Sequence, residues 1–186
     1  MDFTQIEEKY KDLIELAKYY MSKIVDHEHD INHMFDVVNF TKELLINLDG
    51  EVDCEVSIIA AYWHDVGRTK INQGHEELSA KMLKEVMEEK HYDEVFINKC
   101  YNAILYHKWN MQPTTLEGRV IKDADKLAWL GLGRWNSCLK NGQRLDELIK
   151  LLPRLKQEIL YFEESKKIYD REIVNLIKLL YDNIYK

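Results

Sequence analysis

The chain has 186 residues, 46% of them hydrophobic and 32% charged, which is one domain's worth and enough to bury roughly 70% of its unfolded surface. Its 7 glycines and 2 prolines fall well under the roughly 12% of average usage, which excludes turn-rich sandwiches, barrels and collagen-like folds, and its 4 Trp, 11 Tyr and 5 Phe exclude disorder as the main state. The net charge of −7 excludes a basic footprint at whole-chain level, so duplex nucleic acid is not an expected partner, although a local cationic pocket is allowed.

In chain order, Thr4 and Glu7 form a capping-box pattern ahead of a helical stripe, Ile6, Tyr10, Leu13, Ala17, Met21, Ile24. A polar stretch from Asp26 to Asp30 breaks it. A second stripe reads His33, Val37, Phe40, Leu44, Leu48 and ends at Asp49–Gly50. The third, Val56, Ile59, Ala60, Trp63, stops at Gly67, and the fourth reads His75, Leu78, Met82, Val86. A fifth runs Phe96, Cys100, Ala103, His107, with Pro113 closing the loop behind it. Thr114 and Glu117 supply another capping box, opening Ile121, Asp125, Ala128, Leu132. Beyond Gly142 come Leu145–Ile149–Leu152 and Ile173–Ile177–Leu180–Ile184, with Pro153 starting a helix between them. Strand-like alternation of useful length is absent, so the period predicts an all-α bundle of seven to nine helices.

Cys54, Cys100 and Cys138 lie far apart and in odd number, as buried thiols in a reducing compartment do. The opening MDFTQIEEKYKD has neither a basic n-region nor an apolar h-region. The longest apolar run, Ile58 to Trp63, is far short of the ~20 residues that span a bilayer. A soluble, cytoplasmic protein without a membrane partner is expected.

The informative residues are those that interrupt the stripes. His33, His75, His107 and Asp125 each take a position that apolar residues fill elsewhere on the same face. One such histidine is ordinarily a satisfied core residue. Asp125 is harder to explain so, because an unpaired buried carboxylate costs several kcal/mol or loses its charge. Four helices that each aim an imidazole or carboxylate inward suggest that these groups meet, and a divalent metal satisfies them together. His64–Asp65 adds a fifth piece. Neighbours on a helix point about 100° apart, so both face one metal only where the helix is ending, and Gly67 is the expected ending. Two exposed polar residues at a helix terminus are the alternative, but Ala60, Ala61 and Trp63 argue for a buried one.

With these residues in order, the sequence resembles the HD-domain superfamily of metal-dependent phosphohydrolases. The H…HD…D pattern is matched by His33, by His64–Asp65 in AAYWHDVGR and by Asp125 in VIKDADKLAWLG. It is most similar to small stand-alone bacterial HD proteins, through His29–Asp30–Ile31–Asn32–His33, Gly74–His75–Glu76, His107 and the Asp123–Leu127 segment. The resemblance implies one HD-type helical domain over 1–186, with a motif-bearing core over about 26–140 and a helical tail over 143–186. It implies metal coordination by His33, His64, Asp65 and Asp125. His75 and His107 match histidines that hold a second metal or contact substrate in part of the superfamily. Two departures stand out. Some nucleotidases of the superfamily carry a catalytic glutamate shortly after HD, where this chain has Val66–Gly67–Arg68, and relatives with DADRLD place an acid where Ala128 stands.

The expected chemistry is hydrolysis of a phosphate ester, such as a nucleotide or related small phosphate, by a water whose pKa a divalent metal lowers. The metal is Mn, Fe, Co, Ni or Zn, as one ion with a second allowed. Asp65 would orient the water. Charge building on the phosphoryl oxygens needs fixed cations. Arg68, Lys126 and Lys122 stand beside the motifs, Arg68 being either a phosphate clamp or an exposed helix-end cation, and Lys122 being more simply a solvated residue. His29 and Asp30 precede His33, where a hydrogen bond would fix its tautomer; an exposed loop pair is the other reading. Trp63, Trp109 and Trp129 wall a pocket or pack the core. Two other functions fit the same residues: a di-iron oxygenase of the HD fold, and a metal-binding regulatory module without turnover.

Overall fold

Val56 through Trp63 are buried without exception, and a helix apolar on every side belongs in the middle of a bundle. In the computed structural model, which describes residues 2–26, 28–48, 50–141 and 145–184, this segment is α4, Cys54–Trp63. Before it come α1 (Phe3–Lys9), α2 (Lys11–Met21) and α3 (Ile31–Asn47). After it come α5 (His75–Glu89), α6 (Glu94–Leu105), α7 (Leu116–Leu127), α8 (Leu132–Asn141), α9 (Leu145–Arg154) and α10 (Glu163–Ile184). The described residues include no strand, and the all-α fold stands as expected.

Helices α2, α3, α6 and α7 surround α4, α5 pairs with α6, and α10 lies against α7 and α8. Leu13, Met21, Met34, Leu44, Ile58 and Ile59 are fully enclosed, each stabilising the fold by roughly 1.5–3 kcal/mol relative to exposure. Trp63 is fully buried among them and its indole N–H donates to Leu13 O at 3.1 Å, so it packs the core. None of the described helices is long and apolar enough to cross a membrane.

Several boundaries differ from the sequence reading. The first stripe is two helices broken at Tyr10, which raises the described helices to ten. Asp2, not Thr4, caps α1, and Glu7 instead bonds Lys42 and Tyr62. Thr115, not Thr114, caps α7, and Glu117 accepts from Asp53 N. Pro153 starts no helix: it lies inside α9, and the chain runs on as a π turn, Leu155–Ile159, a form met where the regular ladder is interrupted. On α10 the core takes Leu176 and Leu180, whereas Ile177 is 59% exposed. Cys100 is buried, as expected, whereas Cys54 is only half-buried. The expectations for Asp49, Gly142 and the side chains of Cys138, Leu145 and Ile184 lie outside the described residues.

Candidate metal centre

The polar residues that interrupt the stripes sit at helix ends. Asp30 caps α3, its carboxylate accepting from the backbone N–H of Asn32 and His33 at 2.9 and 3.2 Å, so His33 lies in the first turn. Asp30 therefore acts on the backbone and makes no bond to the imidazole. His64 is the C-cap of α4, Asp65 follows it, and a 3-10 turn, Val66–Thr69, leads away. His75 is the first residue of α5, behind Gly74 in the left-handed region at φ +81°. His107 lies just past α6, not on it, because the helix ends at the Tyr106 C-cap. Asp125 is in the last turn of α7. Gly67 does not end α4, which has already stopped. It lets the 3-10 turn press on α5, where a Cβ would stand 2.4 Å from His75 O and 2.8 Å from Ser79 N.

Three of the histidines are oriented alike. The Nδ1 of His64 lies 2.8 Å from Ala61 O, that of His75 2.8 Å from Asn72 O, and that of His107 2.7 Å from Ile104 O. A carbonyl only accepts, so each ring carries a proton on Nδ1, and in its neutral form it turns a bare Nε2 lone pair inward. Those lone pairs meet other acceptors. His75 Nε2 is 3.0 Å and His107 Nε2 3.6 Å from Asp65 Oδ1. The other carboxylate oxygen, Oδ2, is 3.8 Å from His33 Nε2 and 3.7 Å from His64 Nε2. His33 Nε2 in turn stands 3.2 Å from Asp125 Oδ1 and 3.4 Å from His64 Nε2. Two donor sets result, His33–His64–Asp125 and Asp65–His75–His107, each with its ligand atoms within 4.8 Å of one another and all six residues buried. Asp65 Oδ1 and His75 Nε2 are buried without a hydrogen bond. Acceptors facing acceptors in a buried space repel unless a cation lies between them, so the residues fit a divalent metal.

The charges agree. Burial pushes the His64 imidazole down to about 3, so it stays neutral and able to ligate. Burial opposes ionisation of Asp65, yet its carboxyl is held well below the ordinary carboxylate range, with the Arg68 guanidinium beside it favouring the anion. At Asp125 the same opposition from burial is overcome by Lys126 and His33. The centre thus offers a neutral imidazole beside anionic carboxylates.

The family model described as HD domain matches residues 30–130. The chain belongs to the HD-domain family. A crystal structure of a predicted HD superfamily hydrolase from an uncultured Thermotogales bacterium superimposes on this HD domain with a TM-score of 0.73 at 21% identity, covering 97% of this chain and 95% of that one. The likeness shows a shared fold. No curated protein matches the chain in sequence.

Above the donor sets the HD domain has a pocket of about 450 Å³, lined by residues that include Arg68, Lys108, Lys126, Trp109, Trp129 and Arg154. Arg68 Nε lies 2.8 Å from Asp65 Oδ2, so it is no exposed helix-end cation, and Lys126 pairs with Asp125 Oδ2. Trp109 and Trp129 meet at 5.8 Å between ring centroids. His29 also lines the pocket, edge-on to His33, with Nδ1 2.9 Å from Asp26 Oδ2. Lys122 is neither solvated nor in the pocket: it is 1% exposed, and its ammonium donates to Trp109 O and Met111 O. Sequence reasoning gave no role to Glu76, which is 3% exposed with Lys108 3.2 Å from Oε1; its burial beside a lysine 32 positions away leaves no local pattern. Arg154 reaches the pocket mouth from α9, another contact that only the tertiary fold creates.

Proposed function

We propose that this HD domain is a metal-dependent phosphohydrolase that cleaves a small phosphate ester. The observation that carries the reading is the stacking of a cation-lined pocket over two donor sets joined by one carboxylate. His33, His64 and Asp125 would hold one divalent ion, and Asp65, His75 and His107 a second, with Asp65 Oδ2 also close to the first set. Imidazole-rich sites with carboxylates suit Mn, Fe, Co, Ni or Zn. When bound, the metal supplies Lewis acidity and lowers the pKa of a coordinated water toward neutrality.

The chain's own groups do the rest. Asp65 fixes the spacing of the two sets and orients the attacking water. Arg68 and Lys126, held beside the carboxylates, present fixed positive charge to the phosphoryl oxygens as negative charge develops there. Arg68 cannot take a proton, so its part is electrostatic. Trp109 and Trp129 wall off one side of the pocket. The cationic lining favours an anionic substrate over the oxygen chemistry of a di-iron site. A phosphate-release screen over nucleotides and sugar phosphates, with metal analysis of the same samples, tests the reading. Hydrolysis should require a transition metal and vanish in Asp65→Ala with helical content kept. Turnover retained by that variant after chelator treatment would show the assignment to be wrong.

A further inference from the structure

A buried ammonium is a costly group to place in a core, and Lys122 has been placed 1% exposed with no carboxylate bonded to it. Its Nζ donates to two backbone carbonyls, Trp109 O at 3.1 Å and Met111 O, and lies 5.7 Å from the centroid of the Tyr161 ring. Both carbonyls belong to the irregular stretch that follows α6 and begins with His107, Lys108 and Trp109. Lys122 itself stands on α7, one turn before Asp125 and Lys126. One side chain therefore ties the segment that brings His107 to the helix that brings Asp125.

We infer that Lys122 is a positioning residue that sets how well His107 completes the second donor set and where Trp109 stands in the pocket wall. The Nδ1 bond from His107 to Ile104 O fixes the ring against its own helix end but does not fix that end against α7. The chain beyond it has no helical ladder, so its register on α7 depends on cross-links such as this one. An apolar side chain of the same length would fill the space and leave two carbonyls without donors, freeing the segment to shift. A shift of His107 changes its distance to Asp65 Oδ1 while leaving His33, His64 and Asp125, which stand on other elements, in place.

The inference rests on the metal-dependent reading, and the test separates the two. Chelator-treated wild-type protein, Lys122→Met and His107→Asn are titrated with Mn²⁺ alone, with free ion followed by magnetic resonance and tryptophan emission recorded alongside. Wild type should take up two ions. Lys122→Met should bind the first as wild type does and the second about 10- to 100-fold more weakly, the loss typical when a group supporting a ligand is removed. Its tryptophan emission should shift as Trp109 moves, and His107→Asn should lose the second ion alone. A merely structural role would lower the melting temperature and leave both affinities of the folded fraction unchanged, which would overturn the inference. Wild type that takes up one ion or none would overturn it together with the two-ion reading. Should Lys122→Met fail to fold, Lys122→Gln, which keeps a donor on a shorter arm, must show the same selective weakening or the inference falls.

Discussion

Replacing Gly67 by alanine perturbs the centre without changing any ligand side chain. The new Cβ would stand 2.4 Å from His75 O and 2.8 Å from Ser79 N, whereas ordinary contact begins near 3.4 Å. Both neighbours are backbone atoms of α5 and cannot rotate away, so the 3-10 turn and α5 must part by about 1 Å, at an overpacking cost of about 1–3 kcal/mol. The bond from Gly67 N to Ser79 Oγ, now 2.8 Å, stretches with them. At roughly 2–4 °C per kcal/mol for a domain of this size, the melting temperature should fall measurably. His75 moves with the first turn of α5, away from Asp65 Oδ1 at 3.0 Å, so Mn²⁺ uptake should weaken as well. Gly133→Ala is the control, because nothing lies within 4 Å of its Cβ and a helical Gly→Ala change at a permissive site stabilises by about 0.4–1 kcal/mol. Thermal unfolding and Mn²⁺ titration of the two variants decide the matter. A Gly67→Ala protein that melts and binds metal like wild type would refute the close-approach argument.

Acid should destabilise the chelator-treated fold. Burial holds His64 at about 3 against its ordinary 6.5, so between these values the unfolded chain binds a proton the folded chain refuses and stability falls as pH drops. Asp65 and Asp125, held below the ordinary range, add a loss of the same sign further down, and a urea midpoint that is flat or rises from pH 7 to pH 4 would contradict this. Asp123→Ala should cost at least about 2 kcal/mol in a denaturant titration, because its carboxylate accepts from Tyr161 N, Phe162 N and Ser165 Oγ and anchors α10 to α7. His75→Asn and His107→Asn should each melt close to wild type yet lower metal content and kcat; normal content and turnover in both would make the two histidines structural.

The all-α fold and the grouping of six candidate ligands were legible because both leave local marks. The fold shows in apolar period, and the site in polar residues standing where that period calls for apolar ones. Helix ends were less legible. Thr114 and Thr115 are equally good caps by composition, and only the docking of Glu117 on Asp53 selects between them. The i−3 carbonyls that fix the histidine tautomers, Ala61, Asn72 and Ile104, are backbone atoms and carry no residue signature. Lys122 was misread for a related reason: a lysine that bonds carbonyls 11 and 13 positions away looks in sequence like any solvated lysine.

Because the site is assembled from helix ends, the backbone contributes to it as well as the side chains. α4, α6 and α7 finish there, and α3 and α5 begin there. Aligned peptide units place about half an elementary charge at each terminus, negative where a helix finishes and positive where it begins. Three finishing ends against two beginning ones leave an excess of about half a negative charge. Amide replacements at Asp65 and Asp125 would weaken the hold on a cation, but the main chain would still favour positive charge at that spot. The preference is written into the direction in which the helices run.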